Sequence, residues 1–344
     1  MVATHADAPV TLDIERLQEW FDANMAGSRD LIAVEPVKGG SSNLMYRIEH
    51  GGRRYVLRRP PRARYDPTSH NVAREVQLFQ ALAKTDVPHP RLMGYCMDDM
   101  VIGAPFILME YVDGFSPVGD LPPPFDKDPA VRRQLGFSMV EALARLAKVD
   151  WRGAGLDSFG KPDGFLARQV DRWMTQLGRY RTRDIPHLDE LAQWLRDHRP
   201  ATGPIGLMHG DYSFPNVMMS RDLPVRIAAI VDWESATIGD PLLDLGHLLA
   251  GWCDPGETRT YLRDINWSGM PTRAELAARY AELTGLSVAD IEYYRALALF
   301  KLAIILEGAY ARFLQGQNDY APHRTLEQRV PAFIEQAWSF TRQA

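Results

Sequence analysis

The sequence predicts an α+β chain of two lobes: a small antiparallel-sheet lobe over residues 1–112 and a larger, mainly helical lobe over residues 113–344. Three observations predict it. Short β-prone runs gather in the first third of the chain. A proline-rich connector, PVGDLPPPFDKDP, then changes the composition as expected between domains. Beyond it, nearly every long segment has helical spacing.

Taken in order, TLDIERLQEWFDANM places Leu17, Phe21 and Met25 four residues apart, which predicts a leading amphipathic helix. LMYRIEH and RRYVLRR are short strands joined by Gly51 and Gly52, a hairpin signal. NVAREVQLFQALAK carries Val72, Val76, Phe79 and Ala83 at helical spacing, and PFILMEYVDG is an apolar strand ended by Asp113 and Gly114. The first lobe therefore reads hairpin, helix, strand. In the second lobe, AVRRQLGFSMVEALARLAKVD and DGFLARQVDRWMTQLGRY are helices, and HGDYSFPNVMM with RIAAIVDWE forms a loop-and-strand insert. Three late helices are expected to open on capping boxes, at Thr272 with Glu275, Ser287 with Asp290 and Thr325 with Gln328. The helix over 291–314 is apolar on most faces and is expected to be buried.

Composition excludes several classes. A net charge of -5 offers no basic face for nucleic acid. Cys96 and Cys253 have no paired spacing, so neither a disulfide framework nor a zinc site is implied. MVATHADAPV lacks a basic region followed by an apolar core, and no apolar run is long enough to span a bilayer; the expectation is a cytoplasmic protein off the membrane. FGKPDG has proline where a phosphate-binding loop needs a hydroxyl. GFSMV and GFSPV lack the final glycine of a hydrolase elbow.

Chemistry concentrates in HGDYSFPNVMM. Phosphoryl transfer needs an aspartate that holds and deprotonates an acceptor hydroxyl, and an asparagine a short turn later that helps hold magnesium. Asp211 and Asn216 have that spacing, and Asp232 arrives 21 residues after Asp211 at the end of an apolar strand. Magnesium takes oxygen ligands and keeps several waters, so Asn216, Asp232 and nucleotide phosphates suffice. In YVLR, Val56 and Arg58 share one strand face, so an apolar side chain could touch a base while a cation reaches its phosphates. Glu75 on the next helix could orient that cation.

With these motifs the chain resembles the aminoglycoside phosphotransferase family, of the bilobal protein-kinase-like fold, over nearly its whole length. HGDYSFPNVMM matches the catalytic loop, VDWESATIGDPLLDLGHLL the metal-binding segment and following helix, and FILMEYVDG the hinge. YVLRRPP and YYRALALFKLAIILEGAYARFLQG are similar to the subgroup of kinase domains associated with acyl-CoA dehydrogenases. The resemblance implies an ATP- and Mg2+-dependent small-molecule kinase acting on a hydroxyl; for the subgroup the acceptor is an acyl-CoA thioester, notably a 4-hydroxyacyl-CoA. It implies Asp211 as catalytic base, His209 as a loop-orienting residue, Asn216 and Asp232 as metal ligands, and adenine against Met109, Glu110 and Val112. Arg58 stands where most kinase-like folds carry lysine. VKGGSSNLMYR lacks the glycine spacing of protein kinases, leaving Ser41 and Ser42 as phosphate contacts.

Other readings stand beside these. An antibiotic, choline-like or sugar kinase would keep the chemistry and change the acceptor; a catalytically inactive nucleotide-binding scaffold would keep the fold. Asp240, ahead of Pro241, reads as a helix cap, and Asp244 as a buried partner. The six arginines from Arg53 to Arg64 read first as a solvated strand and loop, and second as an anion site. Lys301 and Arg312 lie three turns apart on one helix face, either lining an acceptor site or pairing with buried acids.

Overall fold

Strand alternation decides what the first part of the chain buries. In the computed structural model of the protein, the described residues are 12–25, 30–37, 43–60, 72–201, 203–257, 262, 264–317 and 321–342. They divide into two units, one holding the described residues up to Lys84 with His89–Val112, the other Thr85–Pro88 with the chain from Asp113.

The first unit begins with α1 (Ile14–Asn24), opened by Asp13, whose carboxylate accepts the Arg16 N–H at 3.1 Å. β1 (Ala33–Pro36), β2 (Leu44–His50), β3 (Arg53–Arg59), β4 (Leu92–Cys96) and β5 (Phe106–Glu110) form one antiparallel sheet in the order β1-β2-β3-β5-β4. α2 (Val72–Leu82) lies between β3 and β4 in the chain. Tyr46, Ile48, Tyr55, Leu57, Phe106 and Leu108 share a core with Leu17 and Phe21 of α1. The alternate residues Val56, Arg58 and Met109 therefore point to the opposite face, with Val56 directly across from Met109.

Hairpin, helix and strand stand as expected, and the sheet has two further strands at its edges. β1 is mostly exposed and ends in a proline, and β4 is interrupted by Gly94, so neither shows alternation in the sequence. The arginine run is also not simply solvated. Arg53 and Arg54 are exposed, but Arg58 and Arg59 are buried, and Arg59 donates to the Ile102 carbonyl at 2.6 Å. Arg62 and Arg64 lie outside the described residues.

The second unit contains α3 (Pro129–Ala147), α4 (Phe165–Gly178), α5 (Leu188–Asp197), β6 (Gly206–Met208), β7 (Val217–Met219), β8 (Ile227–Ile230), β9 (Thr237–Gly239), α6 (Leu242–Ala250), α7 (Arg273–Thr284), α8 (Ile291–Leu314) and α9 (Leu326–Phe340). β6 pairs with β9 and β7 with β8, both antiparallel. α8 is the axis: α4, α5, α6 and α9 all pack on it. α6 approaches it closely at Gly246, where an added Cβ would stand 2.6 Å from the Tyr294 backbone.

Of the expected capping boxes, Thr272 and Glu275 form one in full at the start of α7. The other two do not form. The Ser287 hydroxyl accepts the Ala289 N–H in a local turn, and α8 starts later, after Asp290. Thr325 has helical backbone angles and donates its hydroxyl to the Pro322 carbonyl, closing the 3-10 turn that runs into α9.

α8 buries one carboxylate, Glu307, at 0% exposure, and Arg183 answers it with paired contacts of 2.7 and 3.0 Å while also donating to the Leu326 and Glu327 carbonyls. Removing the cation leaves that carboxylate buried without its charge partner, a loss of about 3 kcal/mol. Arg183→Met should lower the urea midpoint accordingly, and Arg183→Met with Glu307→Gln should recover part of it. Equal midpoints for wild type and Arg183→Met would remove this pair from the structural framework.

Candidate active site

The strand β6 ends at Met208, and the next three residues are held from several directions at once. The Asp244 carboxylate, on the first turn of α6, accepts the His209 N–H at 2.6 Å and the Gly210 N–H at 2.8 Å. The His209 ring donates from Nε2 to the Val231 carbonyl at 2.9 Å and accepts the Asp211 N–H at Nδ1, 3.2 Å; this pair of bonds assigns the tautomer. Burial drives the His209 pKa down to about 4, so the ring is a neutral spacer at ordinary pH. Gly210 has φ +81°, and a Cβ there would stand 2.4 Å from the Ser235 carbonyl oxygen. No larger residue fits that turn without displacing it.

Downstream, a 3-10 turn over Phe214–Asn216 feeds β7. The Asn216 amide donates from Nδ2 to the Asp211 carbonyl at 2.8 Å and to the Asp211 carboxylate at 2.9 Å. This orientation leaves the Asn216 Oδ1 as the end that can serve a hard cation. Val217 of β7 pairs with Ile230 of β8, and the Val231 N–H donates to the Asn216 carbonyl at 2.9 Å. The ladder thus carries Asp232 to the neighbourhood of Asn216. Asp232 is exposed and holds φ +62°, an uncommon angle for a residue with a side chain, of the kind that gathers at functional positions. Two oxygen donors on adjacent strand ends fit magnesium, which needs few protein ligands.

Two basic groups also reach the loop: His247, which the sequence did not assign to this site, and Lys301, which it offered either to an acceptor site or to buried acids. His247, one turn after Asp244 on α6, places Nε2 3.6 Å from Asp211 Oδ1. Burial holds its pKa down. The Lys301 ammonium, from the middle of α8, donates to the Gly210 carbonyl. Burial lowers the Lys301 pKa, and the charges of Asp211 and Asp244 partly restore it. Their signals were present: the i, i+3 spacing of Asp244 and His247 puts both on one face, and Lys301 interrupts the apolar run of α8. Arg312, by contrast, is exposed, so Lys301 and Arg312 do not act together on the loop.

The capping reading of Asp240 is confirmed one residue along: its carboxylate accepts the Leu242 N–H at 3.0 Å and the Tyr294 hydroxyl at 2.7 Å. Asp244 is the buried partner it was expected to be. Burial raises the pKa of each to about 6.

In the first unit, Arg58 and Glu75 form a buried ion pair, and Val56 and Met109 lie across from each other on that same sheet face. Glu110 meets Arg91 at 2.5 Å, and Val112 is partly exposed. Ser41 and Ser42 lie outside the described residues.

An antiparallel sheet unit followed by a helical unit carrying this loop defines a kinase-like phosphotransferase fold. Comparison with known proteins agrees. The profile of the phosphotransferase enzyme family matches residues 33–283. The chain is 33% identical over 306 residues to acyl-CoA dehydrogenase family member 10 of Mus musculus, covering 88% of this chain and 28% of that protein. It therefore spans less than a third of that relative's length. A crystal structure from Ralstonia eutropha JMP134, of a protein assigned as an aminoglycoside phosphotransferase, is 31% identical, covers 97% of this chain and 99% of its own, and superposes with a TM-score of 0.83. A thermostable mutant of the aminoglycoside phosphotransferase APH(4)-Ia, crystallised with ADP and hygromycin B, shares the fold at 14% identity, with a TM-score of 0.58 over 95% of this chain and 98% of its own. The chain belongs to the aminoglycoside phosphotransferase family. No helix among the described residues is long and apolar enough to cross a membrane.

The buried groups oppose one another in acid. His209, lowered to about 4 from 6.5, contributes stability that is complete above pH 6.5 and is lost as pH falls toward 4. Asp240 and Asp244, raised to about 6 from 3.8, act in the other sense, costing least below 3.8 and most above 6. Asp240→Asn removes one of the opposing contributions. Its urea midpoint should therefore drop more steeply than that of the wild type between pH 6.5 and about pH 4; a shallower drop would contradict the assignment.

Proposed function

We propose that the chain is an ATP- and magnesium-dependent kinase that phosphorylates a hydroxyl on a small molecule. The observation that carries this reading is the Asp211 carboxylate: half-exposed, bonded by Asn216, and set on a loop whose backbone is tied down at His209, Gly210 and Asp211. A general base needs one lone pair committed to orientation and another open to a proton, and this carboxylate supplies both.

In the proposed reaction the acceptor oxygen forms a bond to the γ-phosphorus of ATP as the bond to the β–γ bridging oxygen breaks. The acceptor proton passes to Asp211, and ADP leaves with the bridging oxygen. Asn216, through Oδ1, and Asp232 would hold the metal, which supplies charge neutralisation at the phosphates when bound. His209 takes no proton in this scheme; as a neutral ring it fixes the Asp211 N–H and the Val231 carbonyl. The first unit would contribute Arg58, oriented by Glu75, to the phosphates, and Val56, Met109, Glu110 and Val112 to the base. Catalysis is then chiefly positioning with electrostatic support.

For the acceptor we take a hydroxyl on an acyl-CoA, notably a 4-hydroxyacyl-CoA. Support comes from the similarity of YVLRRPP and the α8 segment to kinase domains associated with acyl-CoA dehydrogenases, and from a relative that bears that enzyme's name. The test is ADP release with magnesium and ATP against 4-hydroxyacyl-CoAs, free hydroxy acids, aminoglycosides, choline and simple sugars. Turnover is expected with a hydroxyacyl-CoA; turnover only with another acceptor would reassign the substrate. Asp211→Ala should reduce kcat by roughly 1000-fold or more while ATP still binds, as removal of a positioned base requires. Loss of ATP binding in that variant would instead assign Asp211 to the nucleotide.

A further inference from the structure

The geometry points to Lys301 as a positioning residue for the proposed catalytic loop, holding it from α8 as Asp244 holds it from α6. The inference rests on the phosphotransfer reading for its kinetic consequence, but its structural content stands on the contacts alone.

Asp244 satisfies the two N–H groups of His209 and Gly210, which leaves the carbonyl side of the same turn to be held. The Lys301 ammonium donates to the Gly210 carbonyl and so grips the peptide that links Gly210 to Asp211. That peptide orients the Asp211 side chain directly. Its other half, the Asp211 N–H, is taken by the His209 ring at 3.2 Å. The peptide before Asp211 is thus fixed at its oxygen by a cation and at its nitrogen by an imidazole.

Charge supports the same role. Asp211 and Asp244 are near enough for each other's charge to matter, and His209 and His247 are kept neutral by burial. Lys301 is the cation that both carboxylates share; its other charged neighbour, Arg172, opposes it. Trp173 lies under the ammonium, 5.9 Å from ring centre to Nζ, and closes one side of the position. A partly buried ammonium is held best where anions and acceptors face it, and here these are the loop and its anchor. Lys301 touches no reacting atom; it acts through the placement of Asp211.

The test is Lys301→Met, which keeps the length of the side chain and removes the donor and charge. Two readouts are taken: steady-state kinetics with ATP and a 4-hydroxyacyl-CoA, and hydrogen exchange of the amides over residues 206–219 compared with those of α9. We expect kcat to fall about 100-fold, the size of effect that a small misplacement of a reacting group produces, with KM for ATP within about twofold. The 206–219 amides should lose protection while α9 keeps its own. Lys301→Gln, which retains a shorter N–H donor, should fall between the two. Wild-type kcat with unchanged loop protection would overturn the proposal, and so would loss of protection throughout both α9 and the loop, since that would make Lys301 a general core residue. The exchange readout needs neither ATP nor acceptor. A wild type silent toward every acceptor, together with selective loss of loop protection in Lys301→Met, would therefore reject the kinase reading and uphold the positioning role.

Discussion

The second unit depends on one buried carboxylate taking two backbone N–H groups. Asp244 is almost wholly inaccessible, and a charge in that position is tolerable because His209 and Gly210 donate to it at 2.6 and 2.8 Å. The same bonds hold the turn, and its close approach to the Ser235 carbonyl leaves no room for a side chain at Gly210. Helix and loop are coupled through this contact. α6, buried along its whole length, in turn packs on α8, so the interior of the unit sets the place of the half-exposed Asp211 carboxylate.

Asp211 and Asp244 show how one residue type serves opposite ends. Asp244 spends both oxygens on backbone donors, and burial raises its pKa to about 6. Asp211 gives one oxygen to Asn216 and faces His247 with the other, and its side chain remains 46% exposed. The first can only hold structure. The second can exchange a proton with something that arrives from outside. Environment, not identity, makes one an anchor and the other a candidate base.

How much of this could be read from the residues follows from the range of each interaction. The hairpin around Gly51 and Gly52, α2 and α8 were legible because a glycine turn, an apolar period and a long apolar run are each local signals. Asp211, Asn216 and Asp232 were legible because the loop and the β7–β8 ladder keep them near one another in the chain. β1 and β4 were not, since β1 is an exposed edge strand and β4 a half-buried one interrupted at Gly94. The capping boxes at Ser287 and Thr325 failed for a different reason: each hydroxyl found a closer backbone partner in the turn before the helix. The reach of Lys301 to Gly210 spans 91 residues of sequence, and no local pattern encodes it.

Arg58 is the remaining departure from what a kinase-like fold leads one to expect, and the structure supplies a rationale for it. Lysine is a compact charge that a single carboxylate can aim; arginine is a planar fork with several donors in fixed directions. In its buried position the Arg58 guanidinium has one terminal N–H committed to the Glu75 carboxylate. A guanidinium can in general meet an oxyanion through two parallel N–H groups, a geometry that an ammonium cannot offer. The buried Glu75 carboxylate thus supplies the charge partner that a guanidinium needs in that position.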